Sequence, residues 1–218
     1  MPSSHLSFKS QSKSVFTYLL HRLVAWPAVY DVVQTACGAG QSRKRVRKLL
    51  QDVGGVSVLD VGAGTGNGLR VLPPRARYLW LDNDPQKLAG LKSGRAIEAI
   101  LASATAMPLA SHSVDVVLCI AMAHHLNDQE LLQLLDELSR VCRDRLIFLD
   151  PIASRESFMS RLLWRYDRGS YPRTSAALRR LIQQKFNVEY EEEYSIYHRY
   201  WLCSARITPE LPGIEAIE

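Results

Sequence analysis

Residues 58–66 read Val-Leu-Asp-Val-Gly-Ala-Gly-Thr-Gly. The apolar start of this stretch indicates a buried parallel strand. Gly62, Gly64 and Gly66 follow as a glycine-rich turn, and because glycine has no Cβ, a ligand can approach the backbone of such a turn closely. Ligands of open α/β sheets bind at the carboxyl ends of the strands. The stretch therefore predicts a binding site directly after this strand.

A second apolar run supplies an acid at an informative distance. Residues 78–82 read Tyr-Leu-Trp-Leu-Asp and end 20 residues after Gly62, which is the spacing at which a doubly wound fold places a carboxylate against ribose hydroxyls. The glycine pattern is G-x-G-x-G, whereas a dinucleotide fold has G-x-G-x-x-G. Asp60, just before the turn, would repel a pyrophosphate and attract an ammonium or sulfonium. Asp82 is thus the strongest single binding candidate.

The Asp-x-Gly-x-Gly-x-Gly turn resembles the first motif of the class I S-adenosylmethionine-dependent methyltransferases, and most closely that of the small ubiquinone and menaquinone biosynthesis type. Residues 104–109, 113–119 and 124–126 resemble later motifs of that family, so the resemblance runs with gaps from about residue 57 to 151. It implies an α/β fold, namely a Rossmann-like, doubly wound, seven-stranded sheet, mostly parallel with one antiparallel strand, in three α/β/α layers. It also implies S-adenosyl-L-methionine as cofactor, S-adenosyl-L-homocysteine as product, and cofactor binding by Asp60, Gly62, Ala63, Gly64, Gly66, Asp82, Asn83, Ser103, Ala104, Met107 and Cys119.

The chain departs from that family where the adenine amino group is usually bound by an acid, because it has Ser103 there. A hydroxyl can accept the same hydrogen bond without the charge that strengthens it. We therefore expect adenine recognition to depend on the backbone at Ala104 and on apolar contact from Met107, with a modest cofactor affinity.

Two histidines are the catalytic candidates. A hydroxyl acceptor must lose a proton during methyl transfer, and histidine is the natural base near neutral pH. His124 and His125 follow the fourth strand, and His125 is preferred because the helix cap at Asn127 fixes its backbone; structural hydrogen bonding is the alternative. Two aromatic and charged clusters, 164–173 and 197–200, could line a substrate pocket or form surface ion pairs, and they contribute the substrate-binding candidates Trp164, Tyr166, Arg168, Tyr171, Tyr197 and His198.

These features predict a methyltransferase for a small-molecule acceptor, which could be a secondary metabolite, a quinol or a lipid-linked compound. O-methylation is preferred over N- or C-methylation. Two alternatives stay open: a cofactor-binding protein without methyl transfer, such as a cyclase or partner module, and an RNA-directed methyltransferase. Base methylation of nucleic acid is disfavoured, because residues 119–123 read Cys-Ile-Ala-Met-Ala where Asn/Asp-Pro-Pro-Tyr would be expected.

The 218 residues, 47% of them hydrophobic, suit one core. We predict an N-terminal helical extension at 1–52 that breaks at Pro27, a methyltransferase domain at 53–207 with a lid-like insertion near 152–173, and a tail at 208–218. Predicted strands lie near 97–101, at 114–120 and at 146–149, followed by a helix over 175–184 and a closing antiparallel pair. Helices are predicted after the Asp84-Pro85 cap and after Asn127, whose reciprocal partner is Glu130.

The remaining composition bears on partners and compartment. The scattered cysteines Cys37, Cys119, Cys142 and Cys203 contain no C-x-x-C pair, so we expect no metal site and a reducing cytoplasm; Cys142 is placed on an apolar helix face. Residues 14–33 are too polar for a membrane span. The net charge of +5 includes the basic run 43–48, which we interpret as the solvated face of a helix, with an anionic surface as the alternative partner. Monomer and homodimer both stay open.

Overall fold

The computed structural model describes residues 39–52, 54–91, 97–153, 171–196 and 198–208. The chain divides into two compact units, Met1–Gln41 and Ser42–Glu218, and all contacts below belong to the second. The predicted break at Pro27, residue Cys37, most of the expected insertion and the C-terminal tail lie outside the described residues.

The elements alternate as an α/β fold requires. The helices are α1 (Ala39–Leu49), α2 (Pro85–Ala89), α3 (Asp128–Val141) and α4 (Ser175–Ile182), with 3-10 turns at Asn67–Val71 and Ala123–His125. The strands are β1 (Ser57–Val61), β2 (Arg77–Asp82), β3 (Glu98–Leu101), β4 (Val114–Ile120), β5 (Cys142–Ile152), β6 (Phe186–Ser195) and β7 (Arg199–Ile207).

Within the described residues the strands form one seven-stranded sheet in the order β3-β2-β1-β4-β5-β7-β6. Strands β1 to β5 are parallel, and β7 runs antiparallel to both β5 and β6. This confirms the predicted fold class. The order reverses between β1 and β4, and such a switch point opens a crevice at the carboxyl ends of the strands.

Apolar side chains cover both faces of the sheet. On one face, Leu131, Leu134 and Leu138 of α3 pack with Leu178 of α4 against the strands. On the other face, Val46 of α1 is buried in a second cluster. Of the cations in the basic run, Lys44, Arg47 and Lys48 are exposed, whereas Arg43 and Arg45 are half-buried. Arg45 lies over the Tyr194 ring, 4.1 Å from its centroid, so only part of the run forms the predicted solvated face.

The predicted capping residues make the expected hydrogen bonds at the starts of α2 and α3. The Asp84 side chain accepts from the Gln86 amide at the start of α2. Asn127 and Glu130 exchange their hydrogen bonds at the start of α3, at 3.0 and 2.8 Å.

One boundary differs from the prediction. Cys142 was expected on the helix face, but α3 ends at Val141 and Cys142 is the first residue of β5. The strand is therefore longer than the predicted 146–149. Helical spacing continues to Cys142 in the sequence, yet its pairing with Val114 of β4 decides its conformation.

The described part of the chain has neither a membrane span of the helical kind nor a metal cluster. No described helix is long and apolar enough to cross a membrane. No group of three or more His, Cys, Asp or Glu side chains among the described residues is arranged to hold a metal ion.

Candidate active site

In the glycine-rich turn after β1, side chains lie close to the first and last glycines but not to the central one. Gly62, Gly64 and Gly66 have φ values of 68°, 55° and 80°, a conformation that glycine adopts without strain. A Cβ on Gly62 would approach the Met122 sulfur to 2.8 Å, and one on Gly66 would overlap the Leu91 side chain. A Cβ on Gly64 would contact only the Gly62 carbonyl oxygen, at 4.0 Å. A ligand can therefore approach the backbone at Gly64.

Strand β2 holds the peptide groups of that central glycine. The Gly64 amide donates to Asp82 Oδ2 at 2.8 Å, and the buried Trp80 indole donates to the Gly64 carbonyl at 2.9 Å. The other Asp82 oxygen accepts from the Asp84 amide at 3.0 Å, while Lys87 Nζ lies 3.5 Å from Oδ2. These contacts fix a buried carboxylate beside the turn and leave it further acceptor capacity.

A second carboxyl group lies beneath the turn. Asp60 is 3% exposed, and its Oδ2 accepts from the Tyr78 hydroxyl at 2.5 Å. Burial raises the pKa of Asp60 to about 7, the Tyr78 hydrogen bond opposes this, and the nearby Asp82 charge adds to it. The Gly68 amide also bonds Asp60, and a Cβ on Gly68 would overlap its carboxyl. Gly68 is therefore part of the turn, although it was not among the predicted site residues. The sequence did contain a signal for it, because glycine recurs at every second position from Gly62 to Gly68.

The two histidines lie in the 3-10 turn that follows β4. Between strand and turn, Ala121 has φ of 53°, a conformation that costs energy for a residue with a side chain. His124 is 4% exposed, and its Nδ1 lies 2.9 Å from Oδ1 of the buried Asp150. His125 is exposed, and its ring centroid lies 4.1 Å from that of His124. The Asp150 carboxylate, the His124 imidazole and the exposed His125 imidazole therefore lie side by side in that order.

The protonation of Asp150 sets the charge next to the two histidines. Burial raises the pKa of Asp150, and the hydrogen bond from His124 opposes that rise. Asp150 was missed as a functional candidate because in sequence it was interpreted only as the end of the fifth strand. Asp150 lies next to His124 because β5, which contains Asp150, is the parallel neighbour of β4, which leads into the histidine turn.

Comparison with known proteins indicates the kind of domain. Residues 58–145 match the family model described as a methyltransferase domain. This part of the chain is a methyltransferase domain. Its cofactor is S-adenosyl-L-methionine. No curated protein sequence matches the chain.

Solved structures share the fold of this methyltransferase at low sequence identity. A SAM-dependent methyltransferase from Methanosarcina mazei is 16% identical over 71% of this chain and 93% of its own, with a TM-score of 0.62. The pyocyanin biosynthetic protein PhzM is 21% identical over 85% of this chain and 60% of its own, with a TM-score of 0.65. The [4+2]-cyclase SpnF is 14% identical over 77% of this chain and 80% of its own, with a TM-score of 0.63.

The segment after β3 contains the predicted adenine-binding residues of the methyltransferase. The Ala102 amide donates to the Asp82 carbonyl at 3.1 Å, which brings this segment to the end of β2. Ser103 is exposed, and its hydroxyl bonds the Thr105 amide and hydroxyl at 3.2 and 2.9 Å. Ala104 and Met107 are both buried. The role of Ser103 as an adenine acceptor stays a prediction.

The α3 helix fixes the backbone of Met107. Glu137 Oε2 accepts from the Met107 amide at 2.6 Å, and Arg140 donates to the Met107 carbonyl at 3.0 Å. Of the other predicted cofactor residues, Ala63 and the free thiol Cys119 are buried and Asn83 is exposed. Burial raises the pKa of Cys119 well above its ordinary value, so this thiol stays protonated.

The substrate candidates divide into three groups. Trp164, Tyr166, Arg168 and Tyr197 lie outside the described residues. Tyr171 is 43% exposed, and its amide donates to the His124 carbonyl at 3.1 Å, so this candidate lies at the histidine turn. His198 lies at the β6–β7 hairpin, where its ring is nearly perpendicular to the Tyr200 ring, with 6.1 Å between the two ring centroids.

Proposed function

We infer that this methyltransferase transfers the methyl group of S-adenosyl-L-methionine to an oxygen of a small-molecule acceptor. The observation that carries this proposal is the Asp150–His124 pair beside the exposed His125, at the carboxyl ends of β4 and β5. Oxygen acceptors differ from most amines in having to lose a proton that water removes poorly near neutral pH. A histidine close to a buried carboxylate supplies a base for that step.

The turn residues are those that would hold the cofactor. Asp82 would accept hydrogen bonds from the ribose hydroxyls, since it is buried, fixed and retains acceptor capacity. Gly64 would allow the cofactor's approach, because the position of its missing Cβ is open space. Asp60 would attract the cationic part of the ligand whenever it is ionised. Bound S-adenosylmethionine supplies an activated methyl group on a positively charged sulfur.

Of the two histidines, His125 would receive the acceptor's proton, since its imidazole is the exposed one. The acceptor hydroxyl would give its proton to the imidazole, and an electron pair of its oxygen would form the new O–CH₃ bond. The electrons of the donor's C–S bond would stay with sulfur as S-adenosylhomocysteine forms, and the imidazolium would later return its proton to water. Asp150, through His124, would favour this positive charge.

As part of this proposal, we place the protein in a reducing compartment such as the cytoplasm. Cys119, Cys142 and Cys203 are buried and free of disulfides. Burial raises the pKa of Cys203 and Cys142, the latter to about 12. These thiols are core groups rather than reactive ones.

The test is calorimetric titration with S-adenosylmethionine and S-adenosylhomocysteine, followed by a methyl-transfer screen with labelled donor over phenols, quinols, carboxylic acids and amines. We expect both compounds to bind and a phenol or quinol to be methylated. Asp82→Asn should weaken binding of both compounds about 10-fold or more, as expected for loss of charged hydrogen bonds. Asp150→Asn should lower turnover and leave cofactor affinity unchanged.

Other outcomes assign other functions. Methylation of amines alone would refute the role of the histidines in proton removal. Cofactor binding without any methylated product would favour a non-transferring protein, a possibility raised by the shared fold with the cyclase SpnF. Salt-dependent RNA binding that disappears when Arg47 of the basic run is reversed in charge would favour an RNA acceptor.

A further inference from the structure

Arg173 uses its whole guanidinium to hold the histidine turn. It donates to the carbonyls of Ala123 and Leu126 at 3.0 and 2.8 Å, to the Tyr171 carbonyl at 3.3 Å, and twice to Asp128 Oδ1 at 3.1 and 2.7 Å. A guanidinium has five N–H groups, and these bonds engage all of them. The Arg173 side chain is 10% exposed although Asp128 is 90% exposed.

The bonded carbonyls flank the catalytic candidates. Ala123 and Leu126 lie on either side of His124 and His125 in the chain, so one guanidinium fixes the turn at both ends. Next to Arg173 in the same segment, the Tyr171 amide donates to the His124 carbonyl itself at 3.1 Å. The backbone of the buried imidazole is therefore held from this segment by three hydrogen bonds.

The same residue is tied to the strand that carries the carboxylate. The Ala153 amide donates to the Arg173 carbonyl at 2.8 Å, and Ala153 comes directly after β5, three residues beyond Asp150. Arg173 therefore contacts the turn of His124 with its side chain and the end of the Asp150 strand with its backbone. In the sequence, Arg173 belongs to the cluster 164–173, which was predicted to line a substrate pocket or to form surface ion pairs. Its described ion pair is with Asp128.

We propose that Arg173 is a positioning residue that sets the distance between the His124 imidazole and the Asp150 carboxylate. The proposal rests on the proposed function, in which this pair supports proton removal. Lysine cannot replace arginine here, because an ammonium has three donors on one atom and cannot reach carbonyls in different directions. A looser pair weakens the interaction by which the carboxylate favours imidazolium.

The experiment compares Arg173→Lys, which keeps the charge, with Arg179→Lys as a matched control. Arg179 is a half-exposed arginine of α4 whose described ion pair is with Glu191. The readout is the pH titration of the His124 Cε1–H signal by NMR, assigned with His124→Gln and recorded with S-adenosylhomocysteine present. Asp150→Asn, which removes the carboxylate charge, defines the full effect.

We expect Arg173→Lys to move the midpoint of the His124 titration to lower pH, in the direction of Asp150→Asn and by about half a pH unit or more. Arg179→Lys should leave it in place. With an acceptor identified by the screen, the acid limb of the kcat profile should move the same way in Arg173→Lys, and kcat should fall about 10-fold or more. S-adenosylhomocysteine affinity should not change.

A His124 titration identical in Arg173→Lys and the unmutated protein would overturn the proposal. If Arg173→Lys does not fold, Asp128→Asn weakens two of the five guanidinium bonds at an exposed site and must shift the titration in the same direction. The NMR result needs no methyl transfer. A chain that methylates nothing would therefore refute the proposed function while the position of Arg173 is still tested.

Discussion

The carboxyl group of Asp60 should make folding less favourable as pH rises toward neutrality. Its pKa is raised from 3.8 to about 7 in the folded protein, chiefly because burial disfavours the charged form. The folded state therefore holds this proton more tightly than the unfolded state does. The stabilisation is complete below pH 3.8, the unfolded value, and is lost as pH rises through 7.

The size of the effect follows from that window. Each pH unit across it corresponds to about 1.4 kcal/mol, so about three units give on the order of 4 kcal/mol in the free energy of unfolding. A chain of this length changes its Tm by about 2 to 4 °C per kcal/mol. A shift of about 10 °C is therefore expected over the full window.

The assay is urea unfolding of the unmutated protein and Asp60→Asn at a series of pH values from 4.5 to 8. Asparagine keeps the shape of the side chain and has no proton to lose, so the difference between the two curves isolates this carboxyl. The advantage of the unmutated protein should fall as pH rises from 4.5 to about 7 and then level off. A difference that stays constant within about 0.5 kcal/mol from pH 5 to 8 would refute the reasoning.

Asp52 provides a control carboxyl whose pKa shifts in the opposite direction. This exposed carboxylate accepts from Arg145 at 3.0 Å, and that hydrogen bond lowers the pKa of Asp52 from 3.8. Its contribution to stability is therefore complete above pH 3.8 and is lost only as pH falls below that value. The difference between Asp52→Asn and the unmutated protein should stay constant from pH 4.5 to 8, and equal slopes for Asp52→Asn and Asp60→Asn would show that burial is not the cause at Asp60.

The same pKa couples cofactor binding to protons. If Asp60 attracts the cationic part of S-adenosylmethionine, binding near pH 7 should release a fraction of a proton, because a nearby cation favours the carboxylate. Calorimetry in buffers of different ionisation enthalpy measures this release directly. Asp60→Asn should abolish the buffer dependence, and a buffer-independent heat in the unmutated protein would remove Asp60 from cofactor electrostatics.

Two glycine substitutions separate ligand access from packing. Gly64→Ala and Gly55→Ala both place a side chain at positive φ with open space around the Cβ, so each should cost about 1 to 2 kcal/mol of stability; only Gly64→Ala should lose S-adenosylmethionine binding by calorimetry, and equal binding in both would move the site elsewhere. Gly68→Ala should destabilise the fold by about 1 to 3 kcal/mol in urea unfolding, because the new methyl group overlaps Asp60. Gly54→Ala, with no atom within 4 Å, is its neutral control.

The sequence was sufficient for the features that depend on nearest neighbours in the chain. The β4 bounds were predicted as observed because Val114–Ile120 is almost continuously apolar. The Asn127 capping box was predicted because both of its bonds span three residues. Cys142 was placed wrongly because helical spacing and strand pairing compete there, and only the contact with β4 resolves the competition.

Arg173 shows what local reasoning could not supply. Its sequence neighbours are aromatic and charged, which suggested either the lining of a substrate pocket or surface ion pairs. Four of its five guanidinium hydrogen bonds go to residues 45 to 50 positions earlier in the chain. Backbone carbonyls of a 3-10 turn that accept a side-chain hydrogen bond carry no signature in the sequence. An arginine that binds them therefore cannot be distinguished in sequence from one on the surface.

The buried carboxylates of the described residues lie along one edge of the sheet. Among the described residues, the buried acids are Asp60, Asp82 and Asp150. Each lies at or near the carboxyl end of an apolar strand, namely β1, β2 or β5. Burying an ionised carboxylate is costly unless it is paired, and packing alone would favour an apolar residue at these positions. Each of these acids has specific partners instead: Tyr78, the Gly64 amide and His124, respectively. We therefore propose that the binding and catalytic groups lie along this edge of the sheet. An acid that ends an apolar run is visible in the sequence, so this signal can be found before the structure is known.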